Sequence, residues 1–208
     1  MDMYEELRNE IVRICRLSYD RGHVSAAHGN ISVRTPDDGG IIIKVSGVSF
    51  STITADDLLF VDWEGGVFDC DTLAPATRQP SMELRFHSWL YPLDDEIGAV
   101  VHLHSPFSTA ISMNCSTGEI PLVATEALSS LRRVPVIPNY PAGSQLLAEA
   151  VHDTFVEDGI MVAVICEHGP VAIGRTLQEA YNHVDNLEHN CMVATYSRLT
   201  RLVGTASV

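Results

Sequence analysis

The sequence predicts an α/β fold in a single domain that spans residues 1–208. Segments with a helical spacing of apolar residues alternate along the chain with short β-prone runs, a pattern typical of helices layered on a sheet. The hydrophobic content of 46% is ordinary for a globular protein. A chain of 208 residues is long enough to bury a core without disulfide bonds.

Local signals place the helices. Leu7, Ile11 and Ile14 follow a helical spacing in the first segment, and a proline suits the first turn of the second and third. A capping-box pattern from Thr176 to Glu179 opens the last helix. The predicted helices are residues 3–21, 80–91, 105–113, 144–157 and 176–199.

The strands are short apolar runs bounded by turns. A β-prone run, residues 31–34, follows a Gly-Asn pair. Residues 120–131 are ambiguous, and a proline within residues 134–138 restricts that extended segment to a sheet edge or to no sheet. Residues 69–79 are expected to be irregular. The predicted strands are residues 41–45, 58–62, 99–104, 161–166 and 171–173.

Charge and cysteine content exclude several function classes. The chain has 13 basic and 27 acidic side chains, and the net charge of −14 argues against nucleic-acid or anionic-membrane partners. Five scattered cysteines, no signal-peptide pattern and no apolar run of bilayer-spanning length predict a cytoplasmic protein. An anionic substrate would need local positive charge from a metal, helix N-termini or arginines.

The strongest chemical signal is the His-x-His sequence at the end of an apolar run. Side chains in a strand alternate between its faces, so His102 and His104 are predicted to project to the same side. Two imidazoles on one face of a sheet would supply two of the four ligands that zinc or a similar divalent metal typically takes. Taken alone, the pair is also compatible with two polar residues at a strand end.

Other polar residues add weaker signals. Gly29-Asn30 and Ser46-Gly47 are each compatible with an ordinary turn or with a loop that lets a ligand approach the backbone. Glu83 lies in the first turn of a predicted helix, where the helix dipole favours a carboxylate and where it could also face a metal. His28 is compatible with a fourth metal ligand and also with a solvated loop residue.

The order of these motifs resembles the class II aldolase/adducin family over roughly residues 5–195. The most specific part is a Pro-Ser-x-Glu sequence followed by His-x-His and then by His-Gly. In this chain the resemblance is carried by Gly29-Asn30, Ser46-Gly47, Pro80-Ser81-Met82-Glu83, His102-x-His104 and His168-Gly169.

The resemblance implies a three-layer α/β/α sandwich with a mainly antiparallel central sheet, a homotetramer with sites between subunits, and a small-molecule substrate. It also implies a divalent metal, zinc in most members, with manganese or cobalt as alternatives. Glu83 would leave the metal when substrate binds and then act as the catalytic acid/base. The implied metal ligands are His102, His104, His168 and Glu83. The implied phosphate pocket is lined by Gly29, Asn30, Ser46, Gly47 and Ser81.

Two positions depart from the family pattern. Met82 replaces the second serine of Pro-Ser-Ser-Glu, and a thioether cannot donate a hydrogen bond to phosphate. Thr125 stands where fuculose aldolases contribute a tyrosine across the subunit interface, and a threonine hydroxyl is a poorer proton donor than a phenol. Both departures weaken the prediction of a fuculose-type substrate, and neither touches the metal ligands.

The implied reaction cleaves or forms a carbon–carbon bond in a small hydroxy-ketone or sugar phosphate, through an enediolate that a divalent metal stabilises. Lys44 is the one lysine of the chain and lies in an apolar run, which disfavours a Schiff-base aldolase. The same metal chemistry would serve a sugar-phosphate epimerase or a 3-oxo-acid decarboxylase. A non-catalytic adducin-like interaction module is a third alternative, which the three retained histidines disfavour.

Overall fold

A computed structural model describes residues 4–115 and 118–204 and contains an eight-stranded sheet. The order across the sheet is β4-β3-β2-β1-β5-β8-β7-β6. The strands are β1 (Asn30–Arg34), β2 (Gly40–Lys44), β3 (Leu58–Asp62), β4 (Val67–Asp69), β5 (Ala99–His102), β6 (Val136–Ile137), β7 (Val162–Ile165) and β8 (Gly169–Gly174).

The five predicted helices are present, and a sixth lies in the segment that was ambiguous. The helices are α1 (Glu5–Asp20), α2 (Leu84–Leu90), α3 (Pro106–Ser112), α4 (Thr125–Ser130), α5 (Gln145–Phe155) and α6 (Leu177–Gly204), with 3₁₀ turns at Ala55–Asp57 and Tyr91–Leu93. Helix α2 begins four residues later than predicted, so Glu83 lies immediately before the helix. No helix in the described ranges is both long and apolar enough to cross a bilayer.

The sheet is mixed, which corrects the expected mainly antiparallel arrangement at its β6 edge. Neighbouring strands from β4 through to β7 are antiparallel, whereas β6 runs parallel to β7. The reason is the connection between them, because a crossover through helix α5 returns the chain in the same direction.

The core divides into two hydrophobic clusters because strand side chains alternate. In β2, Ile42 belongs to one cluster, and Ile41 and Ile43 belong to the other. Helices α1, α3, α4 and α6 contribute to the first cluster, and α2 and α5 contribute to the second. The central strands therefore bury both of their faces, which explains why they read as continuous apolar runs.

The pairing of the central strands brings distant motifs to one end of the sheet. Asn30, the first residue of β1, pairs with His102, the last residue of β5. His102 in turn pairs with Val171, near the start of β8. Because these neighbours are antiparallel, the beginning of one strand lies beside the end of the next.

We expect Gly174 to tolerate no larger side chain, because α6 lies directly on the end of β8. A Cβ at this position would lie 2.5 Å from the backbone nitrogen of Ala180. Gly174→Ala should therefore lower the free energy of unfolding by about 1–3 kcal/mol in urea denaturation. The control is Gly39→Ala, where the nearest atom to a new Cβ is Asp37 Oδ2 at 3.4 Å. Equal stabilities of the two variants would contradict the tight contact.

Candidate active site

Three histidines from separate segments converge beside the end of β5. The ligand atoms of His102, His104 and His168 all lie within 4.8 Å of one another. The Nε2 atoms of His102 and His168 are 3.4 Å apart. The predicted strand continued to His104, but β5 ends at His102. The His104 ring nevertheless lies with its centroid 5.0 Å from that of His102 and 4.6 Å from that of His168.

A glycine allows His168 to approach the other two histidines. Gly169 has a φ of +152°, and a Cβ on it would lie 2.1 Å from the carbonyl oxygen of Leu103. Leu103 separates His102 from His104, so the turn before β8 packs directly on the backbone that carries both. This close approach explains the His-Gly pair in physical terms.

The hydrogen bond of His102 fixes its tautomer. Its Nδ1 lies 2.9 Å from the carbonyl oxygen of Pro170, which only accepts, so Nδ1 carries the proton and donates. The lone pair of Nε2 is therefore directed into the cluster. Burial, and after it the neighbouring His168, lower the pKa of His102 to about 3. Burial and the neighbouring His102 also lower the pKa of His104 to about 3. Neutral imidazoles are the form that binds metals.

The Glu83 carboxylate completes a donor set that fits a divalent cation. Glu83 is 4% exposed, and its Oε2 lies 3.3 Å from His102 Nε2 while its Oε1 lies 3.6 Å from His168 Nε2. Because His102 Nε2 has no proton, it cannot donate to the carboxylate. Glu83 Oε1 is buried and accepts no hydrogen bond from any described residue. Buried lone pairs that face one another repel, and a cation between them removes the repulsion.

A cavity of about 300 Å³ opens beside this cluster. The predicted substrate-binding residues all line it, together with Glu83, His104 and His168, whereas His102 is fully buried behind them. Those predicted residues are Gly29, Asn30, Ser46, Gly47 and Ser81. Met82 also lines the cavity and is 65% exposed. His28 lines it with its ring centroid 5.3 Å from that of His104, but it lies outside the three-histidine cluster.

A larger cavity of about 430 Å³ lies elsewhere, beside the start of β5 and the end of α5. Leu93, Ile97, Phe155 and Ile160 are among its lining residues, and no histidine is among those described. The three-histidine cluster is the metal-type grouping found in the described part of the chain. The smaller cavity is therefore the candidate active site.

Sequence reasoning missed two buried polar side chains of this site. Lys44 lines the cavity, and its Nζ donates to the carbonyl oxygens of Ala27 and Val45 at 3.4 and 3.1 Å. Burial lowers its pKa. His87 is fully buried and contacts the Asn30 amide, whose other end contacts Glu83. A single lysine in an apolar strand and a histidine four residues after Glu83 are the signals that could have revealed them.

Comparison with known proteins identifies the family. A model of the Class II Aldolase and Adducin N-terminal domain matches residues 9–195. The chain belongs to the class II aldolase/adducin family. Class II aldolases depend on a divalent metal, and the three-histidine cluster is a candidate site for it.

Individual relatives agree with this family. The chain is 34% identical over 180 residues to an L-fuculose phosphate aldolase of Methanococcus maripaludis, covering 86% of this chain and 91% of that protein. It is 30% identical over 189 residues to a 3-oxo-tetronate 4-phosphate decarboxylase of Escherichia coli, covering 88% and 84%. The structure of L-fuculose-1-phosphate aldolase from Thermus thermophilus is similar, with a TM-score of 0.81, 26% identity, and coverage of 94% and 95%. The α/β fold and the predicted resemblance are confirmed.

The lowered pKa values of His102 and His104 should make the metal-free protein sensitive to acid. The pKa of His104 falls from 6.5 to about 3 on folding, so between these values the unfolded chain binds a proton there and the folded chain does not. Stability is therefore lost as pH falls through this window, with a slope of up to about 1.4 kcal/mol per pH unit for one such group.

We expect His104→Asn to remove that part of the slope in urea unfolding of chelator-treated protein between roughly pH 4 and pH 6. His189→Asn, which changes an exposed histidine of α6, is the matched control and should keep the slope of the original protein. If the slope of His104→Asn equals that of the control, His104 is not held neutral by folding.

Proposed function

We propose that this protein is a divalent-metal-dependent aldolase, with zinc as its ion, that cleaves or forms a carbon–carbon bond in a small hydroxy-ketone or sugar phosphate. The observation that carries the proposal is the convergence of three imidazoles and the Glu83 carboxylate beside one cavity. The similarity to L-fuculose phosphate aldolases supports the choice of reaction.

In this proposal His102, His104 and His168 hold the ion, and Glu83 completes the set before substrate binds. A bound divalent cation supplies Lewis-acid stabilisation of the negative charge that develops on substrate oxygens. Glu83 then takes up or releases the proton at Oε1, because this atom accepts no hydrogen bond from any described residue. Its Oε2 already accepts a hydrogen bond from Asn30 Nδ2 at 2.8 Å.

We further propose that the substrate carries an anionic group, bound by Lys44 with Ser46, Gly47 and Ser81. Among the described residues that line the cavity none is an arginine, and Lys44 supplies the only ammonium group. Its Nζ has three N–H bonds and donates two to backbone carbonyls, which leaves one for a ligand. Lys44, on another wall of the cavity, thereby supplies the hydrogen-bond donor that Met82 lacks. The names of both relatives include a phosphate.

A 3-oxo-acid decarboxylase is the second candidate. It is favoured by the similarity to 3-oxo-tetronate 4-phosphate decarboxylase and by Thr125, which is exposed at the start of α4. Loss of carbon dioxide from a 3-oxo acid also develops negative charge on a neighbouring oxygen, so the same ion and cavity would serve it. Epimerisation stays an alternative. The homotetramer with sites between subunits, the cytoplasmic location and the absence of nucleic-acid and membrane partners stay predictions.

A substrate panel with zinc-loaded protein tests the proposed reaction. We expect turnover of phosphorylated ketoses or 3-oxo-acid phosphates, with aldehyde, epimer and carbon dioxide measured separately. Aldehyde release supports the aldolase, and carbon dioxide without an aldehyde product moves the assignment to the decarboxylase. Full occupancy by metal without turnover of any compound would favour the interaction module.

Ligand variants test the metal site. We expect His102→Ala, His104→Ala and His168→Ala each to lose most of the bound metal, measured by elemental analysis of the purified protein. Glu83→Gln should retain metal on three imidazoles but lose at least about 100-fold in kcat, the usual range for a general acid–base group. His189→Ala is the control for histidine removal. Parent-like turnover by Glu83→Gln would remove Glu83 from the chemistry.

Lys44→Met tests the anionic substrate group. Loss of a hydrogen bond to a charged group costs roughly 1.5–3 kcal/mol, so KM for the phosphorylated substrate should rise by about 10- to 150-fold. The unphosphorylated analogue of the same compound is the control, and its KM should stay within about twofold of the original value. A similar loss for both compounds would show that Lys44 is structural.

A further inference from the structure

A row of buried polar side chains connects β1 with the segment that carries Glu83. Asn30 and Ser32 are two residues apart on β1 and therefore share one face of the sheet. Glu83, His87 and Tyr91 are four residues apart along α2 and its flanks and therefore share one side of the helix. Glu83 and Asn30 are each 4% exposed, and the other three are completely buried.

Hydrogen bonds join these five side chains into one unbranched row, here called the polar row. Tyr91 Oη and His87 Nδ1 each lie 2.7 Å from Ser32 Oγ. His87 Nε2 lies 2.5 Å from Asn30 Oδ1, and Asn30 Nδ2 lies 2.8 Å from Glu83 Oε2.

The carboxylate at one end determines the direction of every bond in the polar row. A carboxylate only accepts, so Asn30 must present its NH₂ group to Glu83 and its carbonyl oxygen to His87. His87 must then carry its proton on Nε2 and accept at Nδ1. Ser32 accordingly donates to His87 and accepts from the Tyr91 hydroxyl. Only one arrangement of hydrogen atoms satisfies all four bonds.

We propose that the polar row positions the catalytic carboxylate: Asn30 holds Glu83 by Oε2, His87 holds the amide orientation of Asn30, and Ser32 supplies the donor that His87 Nδ1 needs. Asn30 is thereby a positioning residue for Glu83, in addition to lining the cavity. The inference rests on the role of Glu83 given under Proposed function.

The physical consequence is that Glu83 keeps Oε1 free and aimed at the histidine cluster. If the Asn30 amide turned over, its oxygen would face Glu83 Oε2, and two acceptors would repel in a buried site. His87 prevents this because its Nε2–H needs the amide oxygen. Water cannot readily replace His87 or Ser32, because both are fully buried. Partners behind a metal site of this kind typically change metal affinity by about 10–100-fold when they are removed.

The first test is the tautomer of His87 in zinc-free protein, measured by ¹⁵N chemical shifts of the imidazole nitrogens. We expect the Nε2–H form in the original protein and in Ser32→Ala, which keeps the Asn30 carbonyl oxygen, and a mixture of tautomers in Asn30→Ala, which removes it. Ser18→Ala is the matched control, because Ser18 is also fully buried but bonds to the carbonyl oxygen of Ile14 in α1. An Nδ1–H form in the original protein would overturn the inference.

The second test is a double-mutant cycle in Zn²⁺ affinity, measured by competition with a chromophoric chelator. We expect His87→Leu to weaken Zn²⁺ binding by about 10-fold or more, and His87→Gln, which keeps a donor at the ε position, to recover most of it. In the Glu83→Gln background, His87→Leu should change the affinity by less than about twofold, because its effect acts through Glu83.

The outcomes separate this inference from the proposed reaction. Equal losses from His87→Leu in both backgrounds would show a general structural effect and overturn the positioning role. Neither test uses a substrate, so the absence of aldol turnover would overturn the proposed reaction while both results on the polar row still stand.

Discussion

The register between β1 and β5 is the constraint on which the candidate site depends. It sets Asn30 opposite His102, so a carboxamide and an imidazole stand side by side at one end of the sheet. The next pairing places the Pro170 carbonyl at His102 Nδ1 and thereby aims Nε2 at the cluster. A slip of one residue would turn each side chain to the opposite face and dismantle these contacts. The continuous burial of both faces of the central strands opposes such a slip.

The site concentrates groups that are costly to bury. Three imidazoles, a carboxylate, an amide and an ammonium group lie within or beside a core built mainly from aliphatic side chains. Burial removes their hydration, so each must find a partner within the protein or in a ligand. Asn30, Ser32 and Tyr91 find theirs in the polar row. The lone pair of His102 Nε2 faces the Glu83 carboxylate instead, and Glu83 Oε1 accepts no hydrogen bond from any described residue, which is an arrangement that favours binding of a cation.

The net charge of the protein and the charge on the cavity wall at Lys44 have opposite signs. A net charge of −14 disfavours anions at long range, yet the cavity wall carries the only lysine of the chain. Lys44 is buried beside the ring of Phe50, with its ammonium group 5.6 Å from the ring centroid. A short-range ammonium group in a low-dielectric wall interacts far more strongly than distant screened charges do. The local pocket, rather than the overall charge, therefore determines which substrates the proposed function allows.

The order of the motifs in the sequence was enough to predict the family and five residues that line the cavity, whereas apolar spacing, prolines and a capping box predicted five of the six helices. Local rules predicted the helices because apolar spacing and capping act through short-range geometry. Local rules did not predict that β5 ends before His104. They also did not predict that β6 runs parallel to β7, which follows from the crossover through α5. They also could not reveal that the Asn30 amide contacts Glu83 with one end and His87 with the other. These contacts join residues far apart in the chain, and only the packing of α2 against the sheet determines which polar atoms meet.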